Sequence, residues 1–355
     1  MKILQICAYA APYEGNFMKS LYALEERMAK LGYETIYAFP VHAEEHRWCR
    51  ELAQSHQVYF LPVSKAAVNP KVYKTLYHIF RANPDVTIAH SHFECYDVPL
   101  NIAASPKTKI FWHLHDPIII GSGIRRMMRR LHYGIFSRNV QLISVAEKYR
   151  LDVVNVGFPK QNSQTVLNGI ELKRISDCCT ENKPIDFVTF GWNYHVKGVD
   201  VVLKASDLLF RSGYNFRIII NGNDSTLSQL KQFYNGLVPE YVIFQNFCED
   251  INQIFIKTKV YIQASRRETF AYAVAESAYA GLTVISSDIY GLEWAHEVPS
   301  VRFFESENAV ALAQVMRQSL AEPASSEDIK QSRKIIEEKY SIDCWVNNII
   351  KLYDN

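Results

Sequence analysis

The sequence has few of the features that mark metal, redox or membrane-spanning proteins. Its seven cysteines form no Cys-x-x-Cys, and Cys178 and Cys179 are adjacent, poor geometry for an ordinary disulfide. No Asp-x-Asp occurs, and His, Cys, Asp and Glu show no recognisable metal-ligand spacing, so the chemistry is expected to run without a bound metal or cofactor. The chain has neither G-x-G-x-x-G nor a Walker loop, which argues against a nicotinamide or ATP enzyme. No stretch approaches the ~20 apolar residues needed to cross a bilayer. The formal charge of +2, from 39 basic and 37 acidic residues, supplies no global field for nucleic acid. Affinity for anions must therefore be local. Lys2 followed by the apolar Ile3–Ala11 has the outline of a leader, but one Lys and the interrupting Gln5 fit a buried first strand better. A reducing cytoplasm is the expected compartment.

What is present is a long alternation of strand and helix. With 355 residues, 48% of them hydrophobic, the chain suits two domains. Ile3–Ala8 reads as a strand, broken by Pro12 and Gly15. Phe17, Leu21, Leu24, Met28 and Leu31 then recur at helical spacing, and Gly32 ends that helix. Strands are predicted at Thr35–Phe39, Val58–Leu61, Val86–Ala89, Ile110–Leu114, Gln141–Ser144 and Thr165–Leu167. After the polar stretch Lys173–Pro184 the rhythm restarts, with strands at Phe187–Phe190, Arg217–Asn221, Tyr241–Phe244, Val260–Gln263 and Thr283–Ser286. Alternating βα units imply right-handed crossovers and parallel sheets, hence two doubly wound α/β domains. The expected division is 1–170, a linker at 171–184, a second domain at 185–335, and a C-terminal helix at 336–355 packing back across the junction. Ligands bind outside the carboxyl ends of such strands, and two facing edges would form a central cleft.

The most informative segment runs Ser265-Arg266-Arg267-Glu268-Thr269-Phe270-Ala271-Tyr272-Ala273-Val274-Ala275-Glu276, followed by Ala280-Gly281-Leu282-Thr283-Val284-Ile285. It reads as strand, loop, helix, glycine stop and next strand. Glu268 precedes the helix and Glu276 lies within it, their backbones roughly 12 Å apart along the axis. The amides near Phe270–Ala273, at the positive end of the helix dipole, lie between them. That suits a ligand with hydroxyls at both ends and an anion in the middle, as in a nucleotide sugar. Upstream, Gly191-Trp192-Asn193-Tyr194-His195-Val196-Lys197-Gly198 places a lysine in a loop entering a helix, where its point charge can stabilise a departing diphosphate. His113-Leu114-His115-Asp116 ends a buried strand, and Val166-Leu167-Asn168-Gly169-Ile170 precedes the domain boundary.

Taken in order, these motifs resemble those of the retaining GT-B glycosyltransferases of family four, over essentially the whole chain. The resemblance implies a GT-B fold with the C-terminal helices crossing back to the first domain. It also implies transfer of a hexose from a nucleoside-diphosphate sugar, most commonly a UDP-sugar, to a glycan or lipid-linked saccharide in surface polysaccharide synthesis. By the same resemblance His115, Glu268 and Lys197 are the catalytic set. Glu276 holds ribose hydroxyls, and Gly15, Asn16, Arg266, Phe270, Ala271 and Tyr272 complete the donor site, with Asp116 and His113 on the acceptor side.

Three positions depart from the family pattern. Trp192 stands where the phosphate loop usually has Arg, and Arg266 or Arg267 is the candidate substitute. Asn16 replaces a glycine of the first loop, and Ala271 replaces a glycine at the helix start. These departures motivate an alternative, a catalytically weak GT-B partner subunit of another transferase. Finally, Arg125, Arg126, Arg129 and Arg130 are interleaved with Ile124, Met127, Met128 and Leu131 on a predicted helix. Such a helix suits the inner face of an anionic membrane or a lipid diphosphate; its plain alternative is a domain helix with a solvated basic face.

Overall fold

The structure, a computed structural model, describes residues 1–63, 68–118, 121–179, 183–248 and 250–354. They divide into two units, Met1–Gly169 with Ile342–Asn355, and Ile170–Ser341.

The first unit holds seven strands: β1 Lys2–Cys7, β2 Glu34–Pro40, β3 Val58–Leu61, β4 Val86–His92, β5 Lys109–Leu114, β6 Val140–Ser144 and β7 Ser163–Thr165. They form one parallel sheet in the order β3-β2-β1-β4-β5-β6-β7. Ile3, Leu4, Ile6 and Cys7 are all fully buried, as expected of a central parallel strand covered on both faces. One face is covered by helix Gly15–Lys30 through Phe17, Leu21, Leu24 and Met28. The C-terminal helix Ile342–Asp354 joins the same core through Trp345, Val346, Ile349 and Leu352. The opposite face takes Val72, Leu76, Ile79 and Phe80 of helix Pro70–Ala82.

The second unit holds β8 Ile185–Phe190, β9 Ile218–Gly222, β10 Val242–Asn246, β11 Thr258–Gln263, β12 Thr283–Asp288 and β13 Val301–Glu305. The sheet is again parallel, in the order β10-β9-β8-β11-β12-β13. Two doubly wound, Rossmann-like sheets are therefore present, as the alternation implied.

Several details differ from the sequence expectation. β13 is an edge strand whose five residues carry too short an alternation to stand out. β7 lies slightly before the apolar Val166-Leu167 that suggested it. Helix Ser326–Lys339 stays with the second unit, and only Ile342–Asp354 joins the first. Within the expected linker, residues 180–182 lie outside the described residues. The preceding part packs on the second unit: Leu172–Arg174 forms a 3-10 turn, and the Cys178 amide donates to the Ala280 carbonyl at 2.8 Å.

Each sheet reverses strand order once, between β1 and β4 and between β8 and β11. Loops leaving the carboxyl ends of those strands border a crevice where α/β proteins hold ligands. The chemically interesting residues follow these strands.

Candidate active site

In the second unit the loop after β8 carries Lys197, and the loop after β11 carries Glu268. The Lys197 ammonium donates to Glu268 Oε1 at 2.6 Å, with both side chains largely buried. The same oxygen accepts from Gln263 Nε2 and Ser265 Oγ, each at 2.7 Å. Three donors on one oxygen fix the carboxylate and hold the ammonium beside it. The backbone demands glycine on both sides of this pair. At Gly198, where φ is +64°, a Cβ would collide with the Ala264 carbonyl, and at Gly291, φ +88°, one would collide with the Glu268 carbonyl.

The following helix, Tyr272–Ala280, starts from Ala271 at φ +55°, a left-handed conformation that costs a non-glycine residue roughly 1–2 kcal/mol. No side chain caps this helix; its Val274 amide donates to the Ala271 carbonyl at 2.9 Å, and the dipole at its start favours an anion. Phe270 is buried and stacks on Trp294 with ring centroids 4.8 Å apart; the Trp294 indole donates to the Phe270 carbonyl at 2.9 Å. That packing fixes the helix start. A donor-site role for Phe270 would therefore run through its backbone, not its ring. One turn on, Glu276 is only 4% exposed and is ion-paired with Arg174. Arg174 lies in the stretch read as linker, and nothing in the sequence beyond its charge distinguished it.

The phosphate-loop cations are arranged differently from the expectation for Arg266. Its guanidinium forks onto Asp200 at 2.8 and 2.9 Å, and also bonds Glu307 at 2.7 Å and the His195 carbonyl at 2.6 Å. Four of its five N–H groups are engaged by protein, so it braces the loop and does not replace the arginine absent at Trp192. Arg267 is exposed. The Trp192 ring, 57% exposed, lies beneath Lys197 with the ammonium 5.3 Å from its centroid.

In the first unit β1, β4 and β5 align Gln5 with His90 and His92 with His113, so these side chains share one face of the sheet. His115 follows β5. Its ring stacks on His113 at 4.1 Å and meets Phe93 at a tilt with centroids 4.5 Å apart, and His90 stacks on His92 at 4.2 Å. Burial pushes His90 and His115 down to about 3 and holds His92 and His113 well below the usual imidazole range. All four are neutral at physiological pH. His113 is fully buried beneath His115, so it reaches no acceptor without rearrangement; Asp116, next along, is exposed.

His90, His92 and His113 bring one nitrogen each to within 4.8 Å of one another. Both His92 nitrogens are hydrogen bonded, to His115 and Gln5 at 3.0 Å each, so a cation would have to break one of those bonds. Phe93 and Glu94, immediately after β4, both adopt positive φ, at 68° and 57°. Two consecutive strained non-glycine residues mark this loop as constrained, and no sequence signal announced them.

Gly15 opens helix Gly15–Lys30 at φ +59°, and the Tyr9 hydroxyl secures the preceding turn through the Tyr13 and Glu14 carbonyls at 2.8 and 3.0 Å. Asn16 follows in the first turn, its carbonyl accepting from Ser20 Oγ at 3.0 Å. Helix Ile124–Phe136 buries only Tyr133, leaving Ile124, Met127, Met128, Leu131 and Ile135 exposed beside Arg125, Arg126 and Arg130. Arg129 is the exception to the expected basic face. It turns inward to Glu94 and Tyr133 because Glu94 offers the nearby carboxylate. Among the described residues no helix is long and apolar enough to cross a membrane.

The family model for Glycosyltransferase Family 4 matches residues 19–174, and that for Glycosyl transferases group 1 matches residues 180–340. No curated protein sequence matches the chain. Among solved structures, a glycosyltransferase from Rickettsia africae is 15% identical with a TM-score of 0.83, covering 99% of this chain and 97% of its own. HepE from Anabaena, in complex with UDP, is 14% identical with a TM-score of 0.79 and full coverage of both chains at 100%; it has also been solved with UDP-glucose. Sucrose-phosphate synthase from Thermosynechococcus elongatus is 14% identical with a TM-score of 0.79, covering 100% of this chain and 98% of its own. With both family models matched in order over nearly the whole chain, one on each parallel sheet, this protein belongs to the family-four-like glycosyltransferases of GT-B fold.

Proposed function

We propose that this glycosyltransferase moves a hexose from a UDP-hexose to a glycan or lipid-linked saccharide, keeping the anomeric configuration. The observation that carries the reading is the Lys197–Glu268 pair beside the uncapped start of helix Tyr272–Ala280, with Glu276 one turn on. In this reading Glu276 takes the ribose hydroxyls, Lys197 and the amides from Ala271 to Ala273 take the diphosphate, and Glu268 takes hexose hydroxyls. Gly15 and Asn16 offer backbone to the donor, and His115 with Asp116 serves the reacting sugar and its acceptor. HepE bound to UDP and to UDP-glucose supports uridine as the base.

The chemistry follows from where charge develops. The bond from sugar C1 to the diphosphate oxygen breaks, and the acceptor hydroxyl oxygen bonds C1 on the face the diphosphate leaves. The acceptor proton passes to the departing phosphate. Negative charge grows on that phosphate, where Lys197 and the helix amides are already oriented. The reaction so described needs no divalent ion, so turnover is expected to persist in EDTA. UDP release from UDP-hexoses, with the product anomer read by NMR, tests the reading; an inverted anomer or absolute dependence on a divalent ion contradicts it.

We further assign the exposed face of Ile124, Met127, Met128 and Leu131, flanked by Arg125, Arg126 and Arg130, to an anionic membrane surface, placing the enzyme on the cytoplasmic side in surface-polysaccharide synthesis. Co-sedimentation with phosphatidylglycerol vesicles, lost in high salt and in a triple Arg→Gln variant, is expected; equal sedimentation with phosphatidylcholine overturns the assignment. A second reading, a catalytically weak partner subunit, is favoured by one observation: Arg266 is tied to Asp200, Glu307 and the His195 carbonyl and does not compensate for the Trp192 substitution.

A further inference from the structure

A buried chain of hydrogen bonds runs from the C-terminal helix to His115. The Tyr353 hydroxyl lies 2.6 Å from His90 Nδ1 and 3.4 Å from Gln5 Nε2; Gln5 Oε1 lies 3.0 Å from His92 Nε2, and His92 Nδ1 lies 3.0 Å from His115 Nε2. Every member is at least nine-tenths buried, so water does not compete. The donors can be assigned in sequence. A carboxamide oxygen only accepts, so the His92 proton sits on Nε2. A neutral His92 then has a lone pair on Nδ1, and only His115 Nε2–H can fill that bond. At the other end, Gln5 Nε2 donates to the Tyr353 oxygen, whose own proton goes to His90 Nδ1. The Tyr353 backbone is itself tied down, its carbonyl accepting from Lys109 Nζ at 2.9 Å.

We propose that Gln5 and Tyr353 are positioning residues that lock His115 as its Nε2–H tautomer, so that it offers substrate an Nδ1 lone pair and acts there only as a hydrogen-bond or proton acceptor. The proposal rests on the reading of His115 as a residue that serves the reacting sugar. Its chemical content is that the partner at Nδ1 is a hydroxyl with a proton to give, on the sugar or on the acceptor, and never a bare phosphate oxygen. Turning the Gln5 amide over would reverse every donor in the chain and present an Nδ1–H instead. Orientation of that one amide therefore decides what His115 can bind, and the structure sets it with Oε1 on His92 and Nε2 on the Tyr353 hydroxyl.

Long-range proton–nitrogen NMR on the full chain labelled with 15N-histidine reads the tautomer directly, with the His115 signals identified by their loss in His115→Gln. Wild type is expected to show His115 protonated at Nε2 by about tenfold or more, since with Gln5 Oε1 on His92 the opposite tautomer sets the His92 Nδ1 and His115 Nε2 lone pairs against each other. Gln5→Leu should erase that preference and Gln5→Glu, which keeps an acceptor at the same place, should restore it. An Nδ1–H tautomer in wild type, or a preference unchanged in Gln5→Leu, overturns the proposal. Should Gln5→Leu fail to fold, the wild-type spectrum together with Tyr353→Phe decides, the proposal requiring the preference to weaken there. Transfer is measured separately: the expected tautomer with undiminished transfer in His115→Gln would refute His115 as a reaction residue while leaving the locked tautomer standing.

Discussion

Lys197 and Glu268 lie 71 residues apart in the chain, yet their ammonium and carboxylate meet at 2.6 Å across two loops that leave neighbouring strands. The pair explains why a site of this kind needs the strand order to reverse between β8 and β11. Only there do two loops diverge and leave room for a ligand between them.

Removing the cation should damage chemistry more than fold. Lys197→Met leaves Glu268 with the Gln263 and Ser265 donors, so the carboxylate keeps partners and the melting temperature should move little. Transfer should fall by about 10²–10³, the loss typical of one electrostatic stabiliser. Steady-state UDP release measures it, and a fall under tenfold would remove Lys197 from the proposed role.

Arg174 and Glu276 form a pair whose acidic side is nearly buried. Arg174→Ala removes the cation from that buried carboxylate and should cost about 2–4 kcal/mol of stability. The double replacement Arg174→Met with Glu276→Met should recover most of it. Urea denaturation of the three variants decides, and a double variant no better than Arg174→Ala would contradict the pairing.

At Ala271 the backbone asks for glycine, because φ is +55°. Ala271→Gly relieves the left-handed strain but adds freedom to the unfolded chain. The net gain should be about 0.5–1 kcal/mol, a rise of about 1–3 °C in melting temperature. A lower melting temperature in Ala271→Gly would show the strain is not stored there.

Stability should peak near neutrality. The unfolded chain takes up protons on His90, His92, His113 and His115 near pH ~6.5, whereas burial depresses these imidazoles in the fold, two of them to about 3. Their contribution is complete above about pH 6.5 and is lost as pH falls toward 3. Asp97 has the opposite sign. Burial raises its carboxyl to about 8, so the fold keeps a proton that the unfolded chain releases near pH ~4, and stability is lost as pH rises between those values. From pH 4 to 6.5 the depressed imidazoles outweigh the one carboxyl, so stability rises with pH across that window. Urea midpoints should drop steeply below pH 6 and decline gently from 7 to 8, the gentle decline vanishing in Asp97→Asn. A flat profile from pH 5 to 7 would contradict the buried, neutral histidines.

The sequence announced the sheets because central parallel strands such as Ile3–Cys7 are apolar on both faces. It placed Lys197 and Glu268 in loops and Glu276 in a helix because those segments abut strands and helices of strong pattern. It was silent where function depends on a register between distant strands. Gln5 meeting His92, Tyr353 reaching His90 and Arg174 reaching Glu276 are facts of packing with no local spacing. Arg129 shows the converse: helical periodicity put it on the basic face, but a carboxylate on another loop, Glu94, drew it inward. Positive φ at Phe93 and Glu94 was equally illegible, since neither residue type signals a left-handed turn.

The most direct test of the central claim is a thermal melt of the wild type and of Glu276→Gln with UDP, GDP, dTDP and NAD in parallel, in EDTA. A ligand at ~100 times its dissociation constant adds about 2.7 kcal/mol, which a melting curve resolves. The donor-site account predicts stabilisation by UDP that is lost in Glu276→Gln, with none from NAD. Stabilisation by NAD alone, or no response to any nucleoside diphosphate, would contradict it.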